Sequence, residues 1–139
     1  MNKKEVQIYL CGLFDIASSV SEWMGPSYAE PYVFDNAGRA AELNGFFGFG
    51  ITAFEETKCN FTEYLSEFYG GDKDKKLRSS LEYHITKELG APKEFMLLKE
   101  EYYGKLENKK SPVPFYTVET AALVKFREYT VVFVTGNNE

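Results

Sequence analysis

Between Val6 and Met24, apolar residues return every three or four positions: Val6, Leu10, Leu13, Phe14, Ala17, Val20 and Met24. Side chains at that spacing share one face of an α-helix. The first 25 residues therefore read as one long amphipathic helix, stopped by Gly25-Pro26. Tyr9, Ile16 and Trp23 lie partly off the stripe, so the helix is apolar on more than one side, as an element wedged between layers or against a partner would be. Core packing is the plain reading of the stripe itself.

From Ser27 to Asn44 the periodicity fades. Pro26 and Pro31 punctuate a loop, Tyr32-Val33-Phe34 suits a short strand, and Asp35 is placed to cap a brief helix over Ala37 to Leu43 that Asn44-Gly45 would end. The aromatic run from Phe46 to Phe54 contains Gly48 and Gly50, which predicts a strand with a bulge or a close backbone approach. Asn60 followed by Glu63 is a capping arrangement, opening a helix whose face is Phe61, Tyr64, Leu65 and Phe68 and whose end is Gly70-Gly71. Asp72 is a second candidate cap, before Leu77, Leu81, Ile85 and Leu89, which repeat until Gly90 and Pro92. Two helices joined by two glycines form an αα-hairpin or a sharply bent pair.

Phe95 to Leu98 fits a short helix or a strand equally, since periodicity cannot separate four apolar residues. Ser111-Pro112-Val113-Pro114 predicts a rigid extended connector after an exposed tip at Asn108 to Lys110. Thr117 to Thr135 reads as two strands around Arg127-Glu128, with Val131 to Val134 apolar enough to lie inside a sheet. Residues 136–139 are expected to fray. The predicted fold class is α+β: one domain over residues 1–139, with a long N-terminal amphipathic helix and central helices packed on a mainly antiparallel sheet.

Charge narrows the partners. A net charge of −5 and a pI near 5.0 disfavour direct binding to nucleic acid or anionic membrane, because such binding is driven by Lys and Arg displacing counterions. A protein with a basic surface would be steered toward the chain. Cys11 and Cys59 have neither zinc-site nor disulfide-scaffold spacing, although a single bridge between them stays open. The N-terminal segment, interrupted by Gln7, Asp15, Ser18, Ser19 and Glu22, resembles neither a signal-peptide core nor a membrane span, so a cytoplasmic protein is expected.

Candidate chemistry is sparse. His84 is the one histidine, and it sits beside the apolar stripe of its helix, where a satisfied boundary residue is the plain reading. Gly45, Gly48 and Gly50 match neither a dinucleotide-binding fingerprint nor a phosphate loop. Asp72 and Asp74 begin like a calcium loop, but Leu77 and Tyr83 stand where Gly and Glu are required. Asn60-Phe61-Thr62 matches a glycosylation acceptor, yet serves better as a helix cap. The pairs Glu55-Glu56 and Glu100-Glu101 read as solvated, and no serine lies in a nucleophile elbow. No catalytic residue, cofactor site or metal site is predicted.

What remains is the aromatic content: 12 Phe, 10 Tyr and one Trp in 139 residues. Tyr and Trp dominate interface hot spots through large area, few rotors and a polar tip. The candidate partner-binding residues are Glu22, Trp23, Tyr28, Glu30, Tyr32 and Asp35, with the Tyr102-Tyr103 pair. The expected function is that of a non-enzymatic acidic protein, an inhibitor or immunity-type protein that binds and blocks a basic partner, such as a nucleic-acid-acting toxin or a defence enzyme. The alternative is a small-molecule binding domain or minor enzyme with a pocket lined by the Phe46 to Phe54 strand.

Overall fold

A computed structural model describes residues 1–21, 27–108 and 110–137, without the side chains of Ser27 and Phe68. Helix α1 spans Lys3–Val20. It begins there because Asn2 forms a capping box: its Oδ1 accepts from the Glu5 amide at 2.9 Å, and Glu5 Oε1 accepts from the Asn2 amide at 3.1 Å. Val6, Leu10, Phe14 and Ala17 are its buried face. Leu13 is only half-buried and Val20 is 60% exposed, which corrects their place in the stripe. At about 100° per residue the four buried side chains share one stripe, and Leu13 and Val20 fall beyond its edge, on the flank. Met24, Trp23 and the Gly25-Pro26 stop lie outside the described residues.

Five antiparallel strands form one sheet in the order β1-β5-β4-β3-β2, with β1 Ser27–Asp35, β2 Phe54–Glu56, β3 Glu94–Leu98, β4 Thr117–Lys125 and β5 Tyr129–Asn137. The nine-residue β1 replaces the expected loop and short strand. Pro31 is tolerated in it because β1 is an edge, and the residues paired to β5 by hydrogen bonds are the even-numbered ones, as at Asn36, whose amide donates to Glu128 O. The missing N–H of Pro31 therefore faces away from the ladder. On that outer side Gln7 of α1 stands in for a neighbouring strand. Its Nε2 donates to Pro31 O at 2.6 Å and its Oε1 accepts from the Val33 amide at 2.8 Å.

Alternation along the strands supplies two cores. Val131 and Phe133 of β5, Ala122 and Val124 of β4, and Ala29 and Val33 of β1 face α1, α3 (Phe61–Phe68) and α4 (Lys75–Leu89). On the opposite face, Val132, Val134, Val118, Leu123 and Phe34 meet α2 (Arg39–Phe47) and α5 (Tyr103–Leu106). The inner position of β5, covered on both faces, is what the apolar run Val131 to Val134 predicts.

The expected strand from Phe46 to Phe54 is corrected. Helix α2 runs through Asn44-Gly45 and stops at Gly48, whose φ of 81° is left-handed and whose amide donates to Asn44 O at 2.9 Å. A 3-10 turn at Ile51–Ala53 follows, and only then β2. Tertiary burial overrides the β-propensity of the aromatics: Phe47, Phe49 and Phe54 pack on one another in the second core, with ring centroids 5.5 and 6.0 Å apart. Asp35 does not cap α2; the cap position is Gly38, with no side-chain hydrogen bond.

Asn60 caps α3 as expected, its Oδ1 accepting from the Glu63 amide at 2.9 Å. Phe61, Tyr64 and Leu65 are buried. Asp72 is not a cap but begins a 3-10 turn, Asp72–Asp74, that leads into α4. Arg78 closes the hairpin by donating to Tyr69 O and Gly71 O, a cation set just past the C-terminal end of α3. Phe95 to Leu98 is strand β3, and the Ser111 to Pro114 connector carries Val113 and then Phe115 into the second core. Cys11 and Cys59 are free thiols, so no bridge joins them.

The expected fraying at Gly136 and Asn137 is also corrected, since both pair with β1 and β4. At Gly136 a Cβ would lie 2.4 Å from Thr117 O and 2.8 Å from Phe115 Cγ, so only glycine fits. Gly136→Ala should lower stability by about 1 to 3 kcal/mol in a denaturant titration. Gly12→Ala, at a helical glycine with nothing within 4 Å of the added carbon, should raise it by about 0.5 to 1 kcal/mol. Equal effects at the two sites would show that the strand end is loosely packed. In hydrogen exchange, the Val131 to Val134 amides should be among the slowest.

Candidate functional site: a groove at the first strand

Where the sheet ends at β1, the two helical layers meet. Helix α1 covers one face of that strand and α2 the other, leaving a groove of about 400 Å³ between them, lined by Lys3, Gln7, Tyr32, Phe34, Glu42 and Phe46. Strand alternation puts Tyr28, Glu30, Tyr32 and Phe34 on one face. Phe46 meets Tyr32 and Phe34 at centroid distances of 5.3 and 5.7 Å, and its other contact is edge-on to Phe47 at 4.9 Å. Even so, Phe46 stays 40% exposed, and Tyr28, further along the strand, 47%.

Carboxylates rim these rings. Glu42 stands one turn before Phe46 on α2, with its Oε1 2.8 Å from Lys3 Nζ; Asp35 Oδ2 lies 3.7 Å from the same ammonium. The two carboxylates hold the Lys3 ammonium above its ordinary value, the Glu42 hydrogen bond most of all. Partial burial, then the neighbouring Asp15 carboxylate, push the Glu30 carboxyl above 4.5. Burial, then Glu30, push the Tyr32 phenol up, so it remains a neutral hydrogen-bonding group. Cys11 is also raised, by burial first, although Gln7 Nε2 lies 3.3 Å from its Sγ. A thiol so disposed is a poor nucleophile.

Of the sequence candidates, Tyr28, Glu30 and Tyr32 come together on β1, and Asp35 ends the same strand. Glu22 and Trp23 lie outside the described residues. Tyr102 and Tyr103 are elsewhere and half-buried, not the exposed pair expected. Tyr102 packs on Phe49 at 5.4 Å, and Tyr103 lies against the second core. Phe46, Glu42, Lys3 and Gln7 were missed as a group. Glu42 and Phe46 are four residues apart, a signal hidden when a strand is drawn through Phe46.

His84 lies exposed on α4, its main-chain carbonyl accepting from Tyr9 OH at 3.4 Å. Glu55, Glu56, Glu100 and Glu101 are all exposed. Among the described residues, no group of three or more His, Cys, Asp or Glu is arranged to hold a metal, and no helix is long and apolar enough to cross a membrane.

The raised Glu30 carboxyl has a measurable sign. Its folded form holds a proton more tightly than the unfolded chain, so its contribution to stability is full below the ordinary carboxyl value of 4.5 and is lost as pH rises through the folded value. Glu30→Gln should therefore raise Tm at neutral pH, and the gain should vanish in acid below that ordinary value. A Tm difference independent of pH would remove this assignment. In comparisons with known proteins, the chain matches no family model, and no curated protein or solved structure shows significant similarity to it.

Proposed function

We propose that the protein is a non-enzymatic, cytoplasmic binding protein of the inhibitor or immunity type, which occupies the basic surface of another protein and blocks it. The observation that carries this reading is the β1 groove, where Tyr32, Phe34 and Phe46 lie with Glu42, while Asp35 stands near Lys3 and Glu30 near Tyr32. An exposed ring such as Phe46 next to carboxylates is what a basic protein surface requires of a binder: apolar area to anchor it and negative potential to steer it. The net charge of −5 extends that attraction beyond the groove. The same carboxylates repel phosphate, which favours a protein over a nucleic acid as the direct partner. A surface that acts on nucleic acid is itself basic, so it is the natural target. The free thiols of Cys11 and Cys59 suit a reducing compartment.

The test is affinity capture from the native cell with identification of a stoichiometric partner, followed by binding kinetics. The association rate should fall steeply with salt, since screening shortens electrostatic reach to about 8 Å at physiological ionic strength, while dissociation changes less. Charge reversal at Glu30, Asp35 and Glu42 together should slow association at least about tenfold at low salt. A partner whose association is flat across salt and indifferent to the three reversals would defeat the reading. His84→Gln should leave binding intact; a large loss with an unchanged fold would point instead to histidine chemistry.

A further inference from the structure

The groove already contains a cation. Lys3 extends from the first turn of α1 into it and meets Glu42 at 2.8 Å and Asp35 at 3.7 Å. Its contacts are with the carboxylates; among the described residues, the cations placed over rings are Lys87 on Tyr83 and Lys105 on Tyr102. Phe46, one turn from Glu42 in the same groove, is thus not among the rings with a cation over them.

We infer that the groove is a receptor for one arginine side chain of the protein partner and that Lys3 is the internal placeholder this arginine displaces. The inference rests on the function proposed above and names the partner's contact group. A guanidinium is flat and carries its donors at its edge, so it can stack on Phe46 while its N–H groups reach Glu42 and Asp35. A lysine ammonium is a compact, strongly hydrated point charge and repeats only what Lys3 already does. The exchange keeps both carboxylates paired and adds the ring contact. Lys3 leaves easily, because its side chain is 44% exposed and an exposed ion pair contributes little. The groove, of about 400 Å³, has room for an arginine side chain. Gln7 already occupies main-chain groups of β1 at Pro31 and Val33.

The test uses the full chain, isotope-labelled for NMR, titrated with the capped peptide Gly-Gly-Arg-Gly-Gly and with its lysine counterpart. The arginine peptide should shift the amides of Tyr32, Phe34, Glu42, Gly45 and Phe46 with roughly millimolar affinity, as one side chain buries little area. The lysine peptide should bind at least about fivefold more weakly. Lys3→Met should tighten arginine-peptide binding about threefold or more, whereas Lys4→Met, which removes the same charge from the same turn, should have less than half that effect. Phe46→Ala should weaken binding about tenfold. If that variant does not fold, the Lys3 and Lys4 pair decides alone. Shifts centred on Glu55, Glu56, Glu100 and Glu101, equal effects of the two lysine variants, or no shifts at all would overturn the inference. A captured partner that keeps its salt dependence but ignores Lys3→Met and Phe46→Ala would overturn it too, while leaving the proposed function standing.

Discussion

The architecture depends on strands β4 and β5 being apolar on both faces. Val131 and Phe133 point one way, Val132 and Val134 the other, and all four are buried. Neither face can meet water, so the chain must provide two covers: α1, α3 and α4 on one side, α2, α5 and the irregular segments on the other. Such a sandwich closes over its centre and is thinnest at its margins. At the β1 margin the two covers stand on either side of a single strand, and the groove is the gap between them.

Polar contacts inside the first core tie the helical cover to the sheet at defined points. Tyr64 OH lies 3.0 Å from Thr135 Oγ1 and 3.3 Å from Phe133 O, joining α3 to the end of β5. The Tyr69 phenol, packed in the same core, is pushed up by burial to about 12. Ser21 Oγ donates to the buried Asp74 Oδ2 at 2.7 Å, linking the end of α1 to the start of α4. Each buried oxygen restricts its helix to a position where its partner is within reach, which apolar packing alone does not do. The orientation of α1 sets where Lys3 and Gln7 arrive at β1.

The helices with a strong period and a chemical stop were legible in the sequence: α1 up to its last turn, α3 from Asn60, α4 up to Gly90, and the strand pair on either side of Arg127-Glu128. The segment between Asn44 and Phe54 was not. Its aromatics carry β-propensity, and nothing local reveals that Phe47 and Phe49 are drawn into a core shared with β4 and β5, more than sixty residues away. Pro31 misled for a related reason, since its tolerance depends on β1 being an edge, a property of the whole sheet. The site was half legible. Glu30, Tyr32 and Asp35 were identified from composition and turn context, while Glu42 and Phe46 required α2 to be drawn correctly, and Lys3 and Gln7 required the packing of α1 on β1.

The paired hydrogen bonds from Gln7 to β1 have a consequence for how recognition can change over time. An open sheet edge attracts strands through main-chain groups that every sequence possesses, so a partner bound that way is hard to exchange for another without rebuilding the fold. With Pro31 and Val33 occupied from within, discrimination at this margin passes to side chains, chiefly Phe46, Glu42 and Lys3. These lie at the rim of the fold rather than in its centre. On the proposed function, substitution at one or two of them would redirect binding to a different target while the doubly covered sheet beneath stays as it is.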